Sequence, residues 1–170
     1  MIATGHNLLW DACGMAVFLL LVAMHRWTRR KGIFIAALWN LTGVVLHELA
    51  HLLSGLILGA GPTGFSIIPR RSDTGWKLGS VTFRKVNAFN AVPVALAPLG
   101  LAFAAYIVWQ LWHLWFEPAL SSTIWLYLVM FILLYNAAPS RQDLRIACNW
   151  KSLLLYGSAI TAGCWLLYGS

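Results

Sequence analysis

Leu41-Thr42-Gly43-Val44-Val45-Leu46-His47-Glu48-Leu49-Ala50-His51-Leu52-Leu53-Ser54-Gly55-Leu56-Ile57 is an apolar run that carries three ionisable side chains. Its length and composition predict a helix, where residues i and i+4 share a face. His47 and His51 then point the same way and are spaced to hold one metal ion, with Glu48 beside them. If the run lies in a bilayer, each unpaired ionisable group costs about 2.5 kcal/mol or more near the centre. Metal ligation accounts for all three groups together, whereas a structural role needs a separate partner for each.

The remainder of the chain makes a bilayer the expected setting. Of its 170 residues, 60% are hydrophobic and 10% charged, against about 25% charged in soluble domains. A helix needs about 20 mainly apolar residues to cross a membrane. Five stretches qualify: residues 8–26, 33–59, 88–116, 119–138 and 143–168. The predicted fold is an all-α polytopic membrane protein, one transmembrane domain over residues 1–170, with about five membrane helices. No basic residue precedes the first apolar run and no small-x-small site follows it, so that run is expected to remain as a helix. Cys13, Cys148 and Cys164 form no CxxC pair and are expected to be free thiols packed in helices.

The net charge of +7 is confined to short segments: Arg26 to Lys31, Arg70 to Lys85, and Arg141 to Lys151. That distribution is a topology signal with some attraction to anionic lipid, and it argues against nucleic acid as a partner. Eight basic residues fall on the side of residues 61–87 and 139–151, and four on the other. The balance places residues 61–87 on the cytoplasmic side of the cell (plasma) membrane. Trp109, Trp112 and Trp115, near one end of a span, are expected to anchor at the headgroups.

Residues 61–87 differ from the rest. They contain Gly61, Pro62, Gly64, Pro69, Gly75 and Gly79 and two β-type runs, Phe65 to Ile68 and Ser80 to Phe83. This pattern predicts a small β-hairpin between the second and third membrane helices, with Arg70 to Gly75 as a turn-rich link.

A catalytic zinc site has three protein ligands and an open position. His51 lies about 12 Å from residue 59, so the pair sits toward the hairpin end of its helix. Glu117 falls on the opposite side, and Asp73 at the hairpin tip. His25 and His113 are read as lying toward the far side, and His6 is terminal. Asp143 fits best, because Pro139 breaks the preceding helix and a broken segment at membrane depth can line a wet cavity. The expected arrangement is an unwound stretch from Asn136 to Gln142, with Asp143 opening a long last helix. Asp11, near the start of the first helix, is the alternative third ligand.

These residues resemble the site-2 protease family of intramembrane zinc metalloproteases. Three features match in order: His47-Glu48-Leu49-Ala50-His51 in a membrane helix, a hairpin followed by a helix bearing Ala97-Pro98-Leu99-Gly100, and Asn136-x-x-Pro139 leading to Asp143. The resemblance covers residues 40–150. It implies Zn2+ on His47, His51 and Asp143, Glu48 as the base, and Asn136 near the substrate. Gln142-Asp143-Leu144 departs from the Leu-Asp-Gly usual in that family, and no PDZ or CBS domain is present.

The expected activity is hydrolysis of peptide bonds in membrane-embedded or membrane-proximal substrates, such as a single-span helix. A substrate helix must unwind before cleavage, because its carbonyls are already hydrogen-bonded. An extended segment can then pair with an edge strand, which makes Ser80, Val81, Thr82 and Phe83 candidate substrate-binding residues. Three other functions are weighed: an inactive binding protein of the same fold, a metal or proton transporter relaying through the two histidines and Asp143, and a prenyl-protein endopeptidase, which would prefer a glutamate ligand that Glu117 is badly placed to supply. Intact Glu48 weighs against the first. A single helix break weighs against the second, since transporters tend to show breaks in both halves.

Overall fold

Asn7 opens the first helix, α1 (Leu8–Lys31), its side chain accepting the Leu9 N–H at 3.0 Å. Arg29, Arg30 and Lys31 occupy the last turn, where cations complement the helix dipole. Gly32 ends α1 at φ 152°, a conformation that requires glycine. The computed structural model describes residues 7–72 and 75–168. His6 and Asp73 therefore lie outside the described residues.

The second predicted span is not one straight helix. It is divided into α2 (Ile33–Trp39) and α3 (Leu41–Ile57), bent by 80° at Asn40. After the β segment come α4 (Ala91–Leu96), a 3-10 turn at Ala97–Leu99 and α5 (Gly100–Trp115). Then follow α6 (Leu120–Ala137), α7 (Arg141–Ala147) and α8 (Trp150–Tyr168).

Three helical stretches are long and apolar enough to cross a membrane: Leu8–Lys31, Ala91–Trp115 and Leu120–Ala137. The bent pair α2–α3 makes a fourth if it counts as one span. Five spans are thus not found. The last predicted span is cut at Cys148 and Asn149, and α8 carries Lys151, Ser152, Ser158 and Thr161 along its length. Large apolar side chains face outward, among them Leu8, Ile57 and Phe103, while Asn40, Glu48, His51, Asn90, Asn136 and Asp143 are buried. Polar groups inside and apolar groups outside are the arrangement a lipid solvent favours. The three cysteines are free as expected, but exposed on the outer surface rather than packed.

α6 is the central element, packed against α1, α3 and α5. The α1–α6 seam is close because Gly14 lies against the Tyr127 ring with no room for a Cβ. Farther along, Phe18 meets Phe131 edge to face at 6.0 Å and the His25 ring lies 4.6 Å from Tyr135.

The predicted hairpin is present and longer than expected. Strand β1 (Pro62–Ser66) pairs antiparallel with β4 (Ser80–Phe83), in the register Phe65 opposite Val81 and Ser66 opposite Ser80. β1 stops short of Ile67 and Ile68. A second pair, β2 (Arg70–Ser72) with β3 (Gly75–Lys77), occupies the predicted link. Pro69 has no N–H to donate, so the ladder is interrupted there and resumes beyond it. The hairpin docks on α3 where Gly55 meets the Phe83 ring.

Candidate metal centre

α3 places His47 and His51 on one face, and each ring is held by a backbone carbonyl of another helix. His47 Nδ1 lies 2.8 Å from the carbonyl of Asn136 in α6, and His51 Nδ1 lies 2.7 Å from that of Val94 in α4. A carbonyl only accepts, so each Nδ1 carries the proton and donates it. Each Nε2 is then left with its lone pair facing inward.

The two Nε2 atoms are 3.2 Å apart. Asp143 faces both, with Oδ2 at 3.6 Å from His47 Nε2 and Oδ1 at 3.4 Å from His51 Nε2. Two imidazole lone pairs and a carboxylate gathered this closely repel one another unless a cation lies among them. Among the described residues, these three form the group able to hold a metal ion, with ligand atoms all within 4.8 Å of one another. The ring N–H to carbonyl bonds are the outer contacts that usually fix metal-binding histidines.

Asp143 arrives by a shorter break than expected. α6 runs through Asn136 to Ala137, and only residues 138–140 leave the helix. Asp143 does not begin the last helix but sits in the first turn of α7, which Ser140 caps reciprocally: Ser140 Oγ accepts the Asp143 N–H at 3.2 Å, and Asp143 Oδ2 accepts the Ser140 N–H at 2.7 Å. Asp11 is elsewhere, 3.5 Å from the Tyr127 hydroxyl on the α1–α6 seam.

Glu48 is 7% exposed and lies outside the ligand group. Gly79, just before β4, passes over it so closely that a Cβ there would stand 2.6 Å from Glu48 Cγ and 2.8 Å from Oε1. The hairpin thus roofs the carboxylate. Ligand group, Glu48 and hairpin border one cavity of about 1090 Å³. Ser80, Val81 and Phe83 line it, while Thr82 points outward, its hydroxyl 3.3 Å from that of Thr63. β4 has β1 on one edge and no strand on the other among the described residues.

Asn136 also lines the cavity, but its side chain is engaged. Asn40 and Asn136 exchange amide hydrogen bonds at 2.6 and 3.1 Å, and Asn136 Nδ2 also reaches the Ile132 carbonyl at 2.7 Å. Gly43 leaves the space this requires, since a Cβ there would collide with Asn136. The backbone carbonyl of Asn136, meanwhile, is the one that holds His47.

His25 corrects the sequence reading. It does not lie away from the site but lines the cavity with Arg29, its neighbour one turn on, and with Tyr135. α1 packs against α6 and α2, and His25 meets Tyr135 of α6, which brings this end of α1 to the cavity. Two intrahelical asparagines separated by most of the chain were the visible trace of the Asn40–Asn136 pair, but nothing in the sequence joined them. Comparison with family models, with curated proteins and with solved structures finds no match for this chain.

Proposed function

We propose that this protein is an intramembrane zinc endopeptidase of the site-2 protease type, acting on membrane-embedded or membrane-proximal peptide segments. The observation that carries the reading is the convergence of His47, His51 and Asp143 beside a buried, non-ligating Glu48 in one cavity. Ligand atoms about 2.0–2.1 Å from a tetrahedral zinc stand about 3.3–3.4 Å from one another. The 3.2 Å between the two Nε2 atoms fits that spacing, and Asp143 faces each with a different oxygen, at 3.4 and 3.6 Å, the three ligand atoms lying within 4.8 Å of one another. Two imidazoles and one carboxylate are also a common catalytic zinc donor set.

Bound zinc supplies Lewis acidity, making water acidic near neutral pH and polarising a carbonyl. The chain's own groups supply the rest. Glu48, not bound as a ligand, takes a proton from water and returns it to the leaving amine. The carbonyls of Asn136 and Val94 keep the imidazoles aimed, so little reorganisation is needed during reaction. The free edge of β4 receives an unwound substrate strand, with Ser80, Val81 and Phe83 toward the cavity. The Asn136 side chain, held by Asn40, positions the carbonyl behind His47. The basic loops orient the hairpin to the cytoplasmic side of the plasma membrane.

The test is metal analysis paired with activity. Purified protein is expected to hold near-stoichiometric zinc, and His47→Ala to lose most of it. Glu48→Gln is expected to keep zinc and lower cleavage of a confirmed substrate by roughly 10²–10⁴-fold. Folded wild-type protein that takes up no zinc would overturn the proposal.

A further inference from the structure

The cavity collects charge selectively. Three basic clusters lie along the chain, and each sends one member to the cavity wall: Arg29 from the end of α1, Lys77 from β3 and Arg141 from the start of α7. Arg29 and Arg141 are exposed and Lys77 is half-buried, and their equally exposed neighbours Arg26, Arg30 and Arg145 stay off that wall. A topology signal alone gives no reason for this convergence. The carboxylates on the same wall, Glu48 and Asp143, are already occupied as base and as partner of the two histidines. Among the described residues, none of the three cations has an ion-pair partner.

A second observation comes from α1. His25 is 2% exposed, yet its Nδ1 has no hydrogen-bond partner. Buried polar atoms are normally satisfied, so an orphan on a cavity wall points to a partner supplied by what enters. Arg29 is one turn farther on the same helix, also on the wall. A ring nitrogen and a guanidinium one helical turn apart on one wall suit a planar group with two oxygens.

We propose that the cavity selects peptide segments bearing a carboxylate, which Arg29 and His25 receive on the α1 side while Lys77 and Arg141 supply attractive field. The inference rests on the endopeptidase reading and adds a substrate class to it. The carboxylate is an Asp or Glu side chain near the cleaved bond, or the free C-terminus of the peptide. Burying it beside apolar substrate residues makes the pairing worth more than at an exposed surface. A substrate with an amide there leaves Arg29 and His25 unsatisfied and gains nothing from the field.

The experiment uses full-length, zinc-loaded protein in neutral detergent without anionic lipid. The probe is a pooled library of apolar peptides, each made with Glu and with Gln at one internal position, and each with a free or an amidated C-terminus. Retention is measured on the Glu48→Gln form, and cleavage on the wild type. Peptides with a carboxylate are expected to be retained about tenfold or more over their amides. Preference tied to the internal position identifies the side chain as the source, and preference tied to the terminus identifies the C-terminal carboxylate. Arg29→Gln should abolish the preference with zinc content unchanged, Arg29→Lys should restore part of it, and Arg30→Gln should leave it intact. Equal retention of acid and amide forms, or retention of neither, overturns the inference. The two proposals fail separately: cleavage without acid preference removes only the carboxylate site, and acid preference without cleavage removes only the peptidase.

Discussion

The helical run is interrupted at two places beside the site, and the breaks have different origins. Between α6 and α7 the break is local. Pro139 cannot continue a helix, the residue before it is pushed to extended backbone, and Ser140 caps the next helix at once. Between α2 and α3 no proline or glycine occurs at the bend. Asn40 bends the chain by 80° while its amide is bound to Asn136 of α6. The first break delivers a side chain, Asp143, to the group able to hold a metal ion. The second delivers orientation, because the asparagine pair secures the carbonyl that aims His47. A break written in local sequence thus supplies chemistry, and a break made by tertiary contact supplies alignment.

The sharpest test of this division is at the ligand itself. Asp143→Ala should lose nearly all bound zinc, because two histidines fall short of the usual three protein ligands. Asp11→Ala should retain it, since Asp11 lies on the α1–α6 seam by Tyr127. Zinc loss in Asp11→Ala with retention in Asp143→Ala would assign the third ligand to α1 and remove the role given to the α6–α7 break.

A smaller effect is expected at the asparagines. Asn40→Leu or Asn136→Leu should weaken zinc binding by roughly 10–100-fold, as for other groups that orient metal ligands. Asn136→Leu leaves the buried Asn40 amide unpaired, and Asn40→Leu leaves Asn136 Oδ1 unpaired while its Nδ2 keeps the Ile132 carbonyl; either costs about 1–3 kcal/mol of stability. The double variant removes both amides and should recover part of that stability while zinc affinity stays low. Chelator competition and thermal unfolding measure the two quantities. Unchanged zinc affinity in both single variants would mean that the bend does not align His47.

The smallest effect belongs to Pro139. The capping exchange between Ser140 and Asp143 independently starts α7, so Pro139→Ala should shift zinc affinity by less than about tenfold, within the range of a cap's contribution. Ser140→Ala should destabilise by about 1 kcal/mol. A larger loss in Pro139→Ala than in the asparagine variants would reverse the comparison.

Much of the site was legible because its signals are short-range. His47 and His51 meet through one turn of helix, Glu48 follows from adjacency, and the β pattern of residues 61–87 lies within one segment. The position of Asp143 followed from Pro139, though the break proved to be residues 138–140 rather than a longer unwound stretch, because capping restarts the helix within three residues. Of the five expected spans, three are long and apolar enough to cross a membrane, or four with the bent pair. Hydropathy registers composition and cannot register that α7 and α8 separate at Cys148 and Asn149, or that α2 turns away from α3.

The sequence by itself determined which groups could bind a metal and that they lie among apolar helices, since both depend on residue type and helical period. The tertiary structure decided where those groups point. The Asn40–Asn136 exchange, the Val94 carbonyl behind His51, the approach of Gly79 to Glu48 and the place of His25 and Arg29 on the cavity wall all join residues from different elements. Such contacts arise when packed helices satisfy one another's buried polar groups, a requirement that no single segment reveals.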